Sequence, residues 1–597
     1  MKRIYNIYKK FVLVVVALSA ITMTSCTDFL TIIPPEKTVH ENFWQTKDDV
    51  NGILATSYLK LLSTDAVQRA IVWGELRADN LMYMTGTSNE NELRYIIESN
   101  ILPDNSYAKW NVYYEAIANA NLVIEYADLV CERDPDFTEG DLQVVLGEMY
   151  AMRALCHFYL VRTFRDIPMA MTVAANDAEL PEYRQVHPLE ALRLIMEDLN
   201  RAENMVMPSG NFPNRVNNYG RITKNAVLAM KADVSLWQAA FAKYYEGEST
   251  LVASGDVDKY YDTCISSCEA VLENMEKIYL DEKDEEKISS NNPYALEENI
   301  GKFSELIQGS NGQKQWESTA YDKIFGTRNS FETIFEHHID GELIESSNYG
   351  KGIYNLYGTK GQPSSGQLCV PTSFANIYAK DDARKYSYTD AAKPKDDKNT
   401  FLTVAKYTAA KSVAEEYRSE NSRDANWIVY RKTDVMLMLA EALVSRSGAV
   451  RDDFTTALKL VKGVNYRSRI DGTDKNRNSV TRSITYFGLN AQQTSTYNRS
   501  TDPEVFLELI LQERLRELSF EGKRWYDLVR KALREKTTAN ILFVADKLGA
   551  DANIVKSKMT SIDGLFFPIH EDEIRFNKLL KQNPAYATNG SSSEMIK

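Results

Sequence analysis

The sequence predicts a mainly α-helical protein, built as a scaffold of tetratricopeptide-like helix pairs that displays a loop-rich, irregular face. Three observations carry this prediction. Apolar residues recur at three- and four-residue steps over long stretches of the chain, the signature of amphipathic helices. A small-residue echo, Ala151-Met152-Arg153-Ala154, returns as Ala229-Met230-Lys231-Ala232 and in part as Met438-Leu439-Ala440. Small Ala at helix contacts lets neighbours pair closely, so the echo points to stacked αα-hairpins, although its spacing is irregular. Finally, the stretches between the helices are long, polar and rich in Gly, Ser and Asn, as loops that carry function tend to be.

Taken in order, the chain opens with Lys2, Arg3, Lys9 and Lys10 ahead of an apolar run from Phe11 to Ala20, too short to span a bilayer. Basic residues, a short apolar run and small residues up to Cys26 read as a secretory signal over 1–25. Met23-Thr24-Ser25-Cys26 resembles a relaxed bacterial lipobox, which makes Cys26 the expected lipid-bearing first residue of the mature chain and 26–46 its linker. An N-terminal helical half is expected over 47–280, with helices at 47–64, 107–131, 141–165, 188–206, 223–245 and 257–276. A loop-rich ligand-face region follows over 281–430, and a C-terminal helical half over 431–597, with helices at 431–446, 453–466 and 503–532. The last of these is read as one helix opened by a Thr501–Glu504 capping box with Pro503 in its first turn. Gly522 lies in its apolar stripe, which predicts close approach of another backbone. Arg514, Glu517, Glu521 and Arg524 are expected to form exposed ion pairs along its face.

Composition excludes several functions. With 597 residues, 44% hydrophobic and 26% charged, the chain is neither collagenous, disordered nor a polytopic membrane protein. Its 70 Lys and Arg against 83 Asp and Glu give a net charge of −13, and no basic stripe suits a nucleic-acid partner. Beyond Cys26, five cysteines remain, an odd number that rules out a complete disulfide framework. Cys264 and Cys268, four apart in a helix, are expected to share a buried face. Nucleophile elbows, P-loops, dinucleotide fingerprints and zinc-protease motifs are missing. Gly350-Lys351-Gly352 begins like a nucleotide loop but has Asn355 where a third Gly belongs. His337-His338 is read as surface polar residues. Asp474, Asn476 and Asn478 begin like a calcium loop, but Ser479 and Thr485 replace the turn Gly and terminal Glu, leaving at most a weakly bound calcium ion and no expected cofactor. A surface glycosidase would need a positioned carboxylate pair, and none is singled out by the sequence.

Order along the chain then points to a family. Asp28-Phe29-Leu30 with Pro34-Pro35, the helix Trp110 to Asn121, Arg153-Ala154 through Asp166-Ile167-Pro168, and Gly220-Arg221-Ile222-Thr223-Lys224-Asn225-Ala226 resemble successive motifs of the SusD/RagB family of Bacteroidetes outer-membrane lipoproteins. Two positions depart from those motifs, Arg165 and Asn225 each standing where the family has Gly. Tyr430 through Ala442, Glu513 through Leu528, and Phe567-Pro568-Ile569 through Gln582-Asn583-Pro584 continue the resemblance to the end. It implies four tetratricopeptide-like units, a non-catalytic surface lipoprotein that captures a nutrient, commonly a glycan, and a SusC-like TonB-dependent transporter as partner. A sugar site needs aromatic platforms with polar side chains beside them. The loops offer Tyr83 with Asn89, Trp316 with Tyr321, and Tyr349, Tyr354 and Tyr357 with Asn355. A protein- or peptide-binding groove in the repeats is the competing reading.

Overall fold

The computed structural model describes residues 43–173, 183–248, 250, 252–283, 321–326, 328–339, 349–358, 366–379, 382, 384–392, 401–407, 424–468 and 491–587. The leader with Cys26, Trp316 and the calcium-like run from Asp474 lie outside them.

The helices that build the scaffold and the site are α1 (Lys47–Leu62), α2 (Thr64–Ile71), α3 (Glu90–Ile97), α4 (Asn111–Tyr126), α5 (Glu139–Phe164), α6 (Pro188–Glu203), α7 (Lys224–Tyr244), α8 (Asp256–Lys283), α9 (Gly352–Tyr357), α10 (Lys432–Ser445), α11 (Arg451–Arg467), α12 (Pro503–Leu518) and α13 (Arg524–Glu535), with further helices, among them Ala491–Arg499 and Ala552–Lys558, between and after them. Local chemistry sets their starts. Thr46 with Asp49 and Thr138 with Asp141 form reciprocal capping boxes, and Pro188 occupies the first turn of α6. Packing then follows chain order: α1 on α4, α4 on α5, α5 on α6, α6 on α7, α7 on α8, α8 on α10, and α10 on α11 and α12. This is the stacked-hairpin, mainly α scaffold that the echo predicts. The echoed Ala and Met residues are fully buried where these helices meet. Motif residues staple neighbours: Arg153 on α5 binds Asp198 of α6 through two oxygens at 2.7 and 2.8 Å and Asn121 of α4 at 2.7 Å. Helix α5 is long and apolar enough to cross a membrane, but the protein itself buries 83% of its apolar stretch.

Strands are few and short. Among the described residues four antiparallel pairs form, β1 (Met82–Tyr83) with β5 (Leu368–Cys369), β2 (Ile167–Pro168) with β3 (Gln185–Val186), β4 (Thr333–His337) with β8 (Trp427–Arg431), and β6 (Thr389–Ala392) with β7 (Phe401–Val404). Cys264 and Cys268 are buried on one face of α8 with their sulfurs 4.0 Å apart, as expected.

Three expectations are corrected. The stretch 503–532 is two helices, and Asp502 caps the first by accepting from the Glu504 amide at 3.1 Å. The break lies at Ser519–Lys523, where Phe520 and Gly522 adopt φ of 70° and 69°. The Glu75 carboxylate holds it, accepting from the amides of Phe520, Lys523 and Arg524 at 2.7, 2.9 and 3.3 Å and so capping α13 from a distant segment. Gly522 meets another backbone as predicted: a Cβ added there would sit 2.7 Å from the Ala70 carbonyl oxygen, and one added at Gly74 would sit 1.8 Å from the Gly522 oxygen.

Secondly, the signature charges are not surface pairs. Glu517 and Glu521 are inaccessible and bind Arg431 at 2.7 Å each, while the Lys406 ammonium donates to Glu521 and to the carbonyls of Glu517 and Ser519. Arg384 joins Asp382 to Glu513 and Glu517. Arg514 binds Asp434 and Asp527, and Arg524 binds Asp79. Charges this deep persist only because each is paired and hydrogen-bonded. Thirdly, His337 is buried edge-on to Phe335, and desolvation pulls its pKa down to about 4.

Candidate functional site

The loop-borne residues converge on a rim built from three short pieces of chain. Antiparallel pairing of β1 with β5 sets Tyr83 opposite Leu368. The Met84 amide extends this ladder to the Gln367 carbonyl at 2.8 Å, and the Gln367 amide in turn donates to the Asn355 carbonyl at 3.1 Å. Asn89, at the start of α3, offers its side-chain amide to the Gln367 side chain at 3.5 Å. Helix α9, which carries Tyr354 and Asn355, is pressed against α2 at Gly352, where a Cβ would lie 2.7 Å from that of Val67. Tyr349 bridges to Ser63, and the Gly350 amide donates to the Leu62 carbonyl. Tyr83, Asn89, Tyr354 and Asn355 are thus tied into one hydrogen-bonded frame, with Tyr349 on the segment leading into it; all five are half-buried.

Two basic side chains, Lys547 and Arg77, tie the neighbouring turn to the rest of the protein. Lys547 is half-buried and donates to the carbonyls of Leu76, Ala78 and Leu81, at 3.0 Å for Leu76 and 2.7 Å for Leu81, on the turn that leads into β1. Desolvation pulls its pKa down to about 7. Arg77 donates to the carbonyls of Leu565 and Gly564 at 2.8 and 2.7 Å and lies 4.4 Å over the Trp525 ring. Burial also lifts the Tyr83 hydroxyl above its ordinary range, with Glu98 adding to the shift, so the phenol keeps its proton.

The structure separates the candidate aromatics. Tyr321 is 2% exposed, its hydroxyl held between Ser468 at 2.5 Å and Glu517 at 3.0 Å; Tyr357 is 1% exposed, stacked on Tyr407 with its hydroxyl on the Phe520 carbonyl. Both rings are core, because each anchors a loop onto the signature helices, and neither presents a face to a ligand. The residue that sequence reasoning missed is Gln367. It joins all three pieces, but its role comes from a two-residue strand pairing across the chain that leaves no local pattern.

Chemically the rim combines three half-exposed phenol rings with two Asn and one Gln side chain. Flat apolar faces beside neutral donors and acceptors suit the CH faces and hydroxyls of a sugar. Among the described residues no group of three His, Cys, Asp or Glu is placed to hold a metal ion.

The SusD family model matches residues 376–586, and a second model, described as starch-binding associating with outer membrane, matches 28–236. SusD-like protein P38 of Formosa agariphila is 25% identical over 568 residues, covering 89% of this chain and 92% of that one. Among solved structures, a SusD homolog from Bacteroides thetaiotaomicron superposes with a TM-score of 0.62 at 18% identity, over 92% of this chain and 98% of that one. Surface glycan-binding protein A from the same organism, solved in complex with laminarihexaose, gives 0.58 at 17% identity, over 90% and 100%. Motif order, a helical scaffold shared from end to end and family matches in both halves lead to one assignment: the chain belongs to the SusD-like family.

Proposed function

We propose that the protein captures a neutral oligo- or polysaccharide at the cell surface and delivers it, uncleaved, to a SusC-like TonB-dependent barrel in the outer membrane. The observation that supports this reading is the rim, where Tyr83, Tyr349 and Tyr354 stand beside Asn89, Asn355 and Gln367 on a frame locked to the signature helices. Because the frame is formed in advance, a ligand need not order these loops itself, which preserves affinity. The glycan complex of the Bacteroides thetaiotaomicron relative, which shares this fold, and the starch-binding family model give the same direction. Lipid attachment at Cys26 holds the protein at the membrane, and stable anchoring takes more than one acyl chain. Transport falls to a partner, since only closed barrels or helical spans cross lipid.

The test is a glycan array probed with the mature chain, followed by calorimetric titration of the best ligand. Binding that weakens in Tyr354→Ala and Tyr83→Ala, with the bound oligosaccharide returned intact by chromatography after prolonged incubation, supports the reading. Product release abolished by a single carboxylate substitution would turn it into a hydrolase. A silent array beside a responsive peptide library would favour the repeat-groove alternative.

A further inference from the structure

The three pieces of chain that form the rim meet a second time, in the core, on one residue. Phe520 is fully buried in the turn between α12 and α13, with φ of 70°. Its amide donates to Glu75 at 2.7 Å, on the segment that runs into β1 and Tyr83. Its carbonyl accepts from the Tyr357 hydroxyl at 3.2 Å, at the end of the helix that carries Tyr354 and Asn355. Its ring lies 5.4 Å from that of Phe374, on the segment that continues from Gln367 and β5, and 6.3 Å edge-on from that of Tyr357. Glu75, Tyr357 and Phe374 are all buried, so each contact is made away from water.

Left-handed backbone crowds the Cβ of any residue but glycine, and a phenylalanine keeps it only where the surroundings outweigh that cost. At Phe520 those surroundings are the contacts from the three pieces, and geometry makes them interdependent. Amide, ring and carbonyl hang on one Cα. Returning φ to the negative region swings ring and carbonyl together about the N–Cα bond, so the Glu75 bond cannot be kept along with the other two contacts. The turn cannot absorb the change by sliding, because Gly522 already lies against the Ala70 carbonyl and the Trp427 ring. Losing any one contact therefore favours a relaxed state that lacks all three. Such an element has two discrete arrangements, which is what physical coupling between separate segments requires.

We propose that Phe520 is the hub through which the three pieces of the rim are set and released as one unit. With Phe520 left-handed all three are seated; with it relaxed all three come loose together. This concerns how the frame is set, not what it holds, so a rim that binds no glycan would leave the hub standing.

The pieces are also joined at the surface, where Met84 bonds to Gln367 and Gln367 to Asn355. Hydrogen exchange of the full mature chain, read by mass spectrometry in the parent and in Tyr357→Phe, separates the two couplings. The substitution removes one hydroxyl. Peptide 518–525 is the discriminating reporter, since it carries the Phe520, Lys523 and Arg524 amides held by Glu75, none of them bonded to Tyr357. Exchange is expected to rise about fivefold, the worth of one hydrogen bond, at 518–525, 76–84 and 367–374 alike. Faster exchange at 76–84 and 367–374 with 518–525 unchanged would put the coupling in the surface frame and overturn the hub. So would a change confined to 352–358, or none at all. A second arm needs no variant. In urea below the unfolding transition, peptides 76–84, 352–358, 367–374 and 518–525 of the parent should converge on one opening free energy smaller than that of global unfolding. Four separate isotherms, or convergence only at global unfolding, would refute the proposal.

Discussion

Replacing Gly74 by Ala tests the seam between the two halves of the protein most directly. The added Cβ would lie 1.8 Å from the Gly522 carbonyl oxygen and 2.4 Å from its carbonyl carbon. Carbon contacts are favourable only near 3.5–4.0 Å, so the two backbones must part by more than about 1 Å. No side chain can rotate away, because both contacting atoms are main chain. Overpacking of a yielding core costs about 1–3 kcal/mol, and here the movement also pulls on the three amide bonds that Glu75 makes across the seam, each worth about 1 kcal/mol net. The expected destabilisation is therefore about 3–5 kcal/mol, a large share of the roughly 5–15 kcal/mol that holds a domain together. Gly52→Ala is the control. Gly52 lies exposed in α1 with nothing within 4 Å of its added Cβ, and there Ala should stabilise by up to about 1 kcal/mol through helix propensity. Equilibrium urea unfolding followed by circular dichroism measures both. A Gly74→Ala variant within about 1 kcal/mol of the parent would refute the close-approach argument.

Lys406→Met removes the ammonium that donates to Glu521 and to two carbonyls and leaves them buried with fewer partners; it should cost about 3–5 kcal/mol in the same urea assay. Glu441 is held by Arg530 and Arg534, which outweigh its burial and bring its pKa from 4.5 down to about 2. A depressed carboxylate stabilises above its unfolded pKa, so at most about 3 kcal/mol should be lost as pH falls from 4.5 toward 2; Glu441→Gln should flatten that limb of the stability–pH curve, and an unchanged limb would contradict the pairing. Tyr354→Ala should weaken the array's best glycan about 3–10-fold, the worth of one aromatic contact, as read by calorimetry. Cys26→Ala should abolish palmitate labelling of the chain in cells, and label that persists in the variant would remove the anchor assignment.

Much of the scaffold was legible because helical periodicity is local. The stretch read as 141–165 is α5 at Glu139–Phe164, and 188–206 and 223–245 are α6 and α7 within a few residues. The break between α12 and α13 was hidden because the apolar stripe continues through Gly522 and the agent of the break, Glu75, lies hundreds of residues away. Charge spacing on α12 was equally ambiguous: three- and four-residue steps look alike whether the face meets water or, as here, Arg431, Arg384 and Lys406 from other segments. Tyr83, Asn89, Tyr354 and Asn355 were picked out by residue type alone, and the hydrogen bonds that bring them into one frame are tertiary. Tyr321 and Tyr357 were misplaced for the same reason, since a phenol in a loop can face outward or reach inward to Glu517 or the Phe520 carbonyl, and only tertiary pairing decides. The pairing of β1 with β5 is two residues long and has no period to read.

The Glu75 cap has a consequence for how the molecule is made. Its bond to the Phe520 amide closes a loop of 445 residues, and the entropy of closing such a loop is lost before the contact rewards it. A chain emerging from the ribosome can assemble its early hairpins but cannot seat the turn at 72–81, and with it the strand bearing Tyr83, until the final fifth of the sequence arrives. The loop that carries Tyr83 therefore waits on a segment made late in synthesis. A truncated product would lack the Glu75 cap however well its first helices folded, which ties the seating of the loop that carries Tyr83 to completion of the C-terminal half.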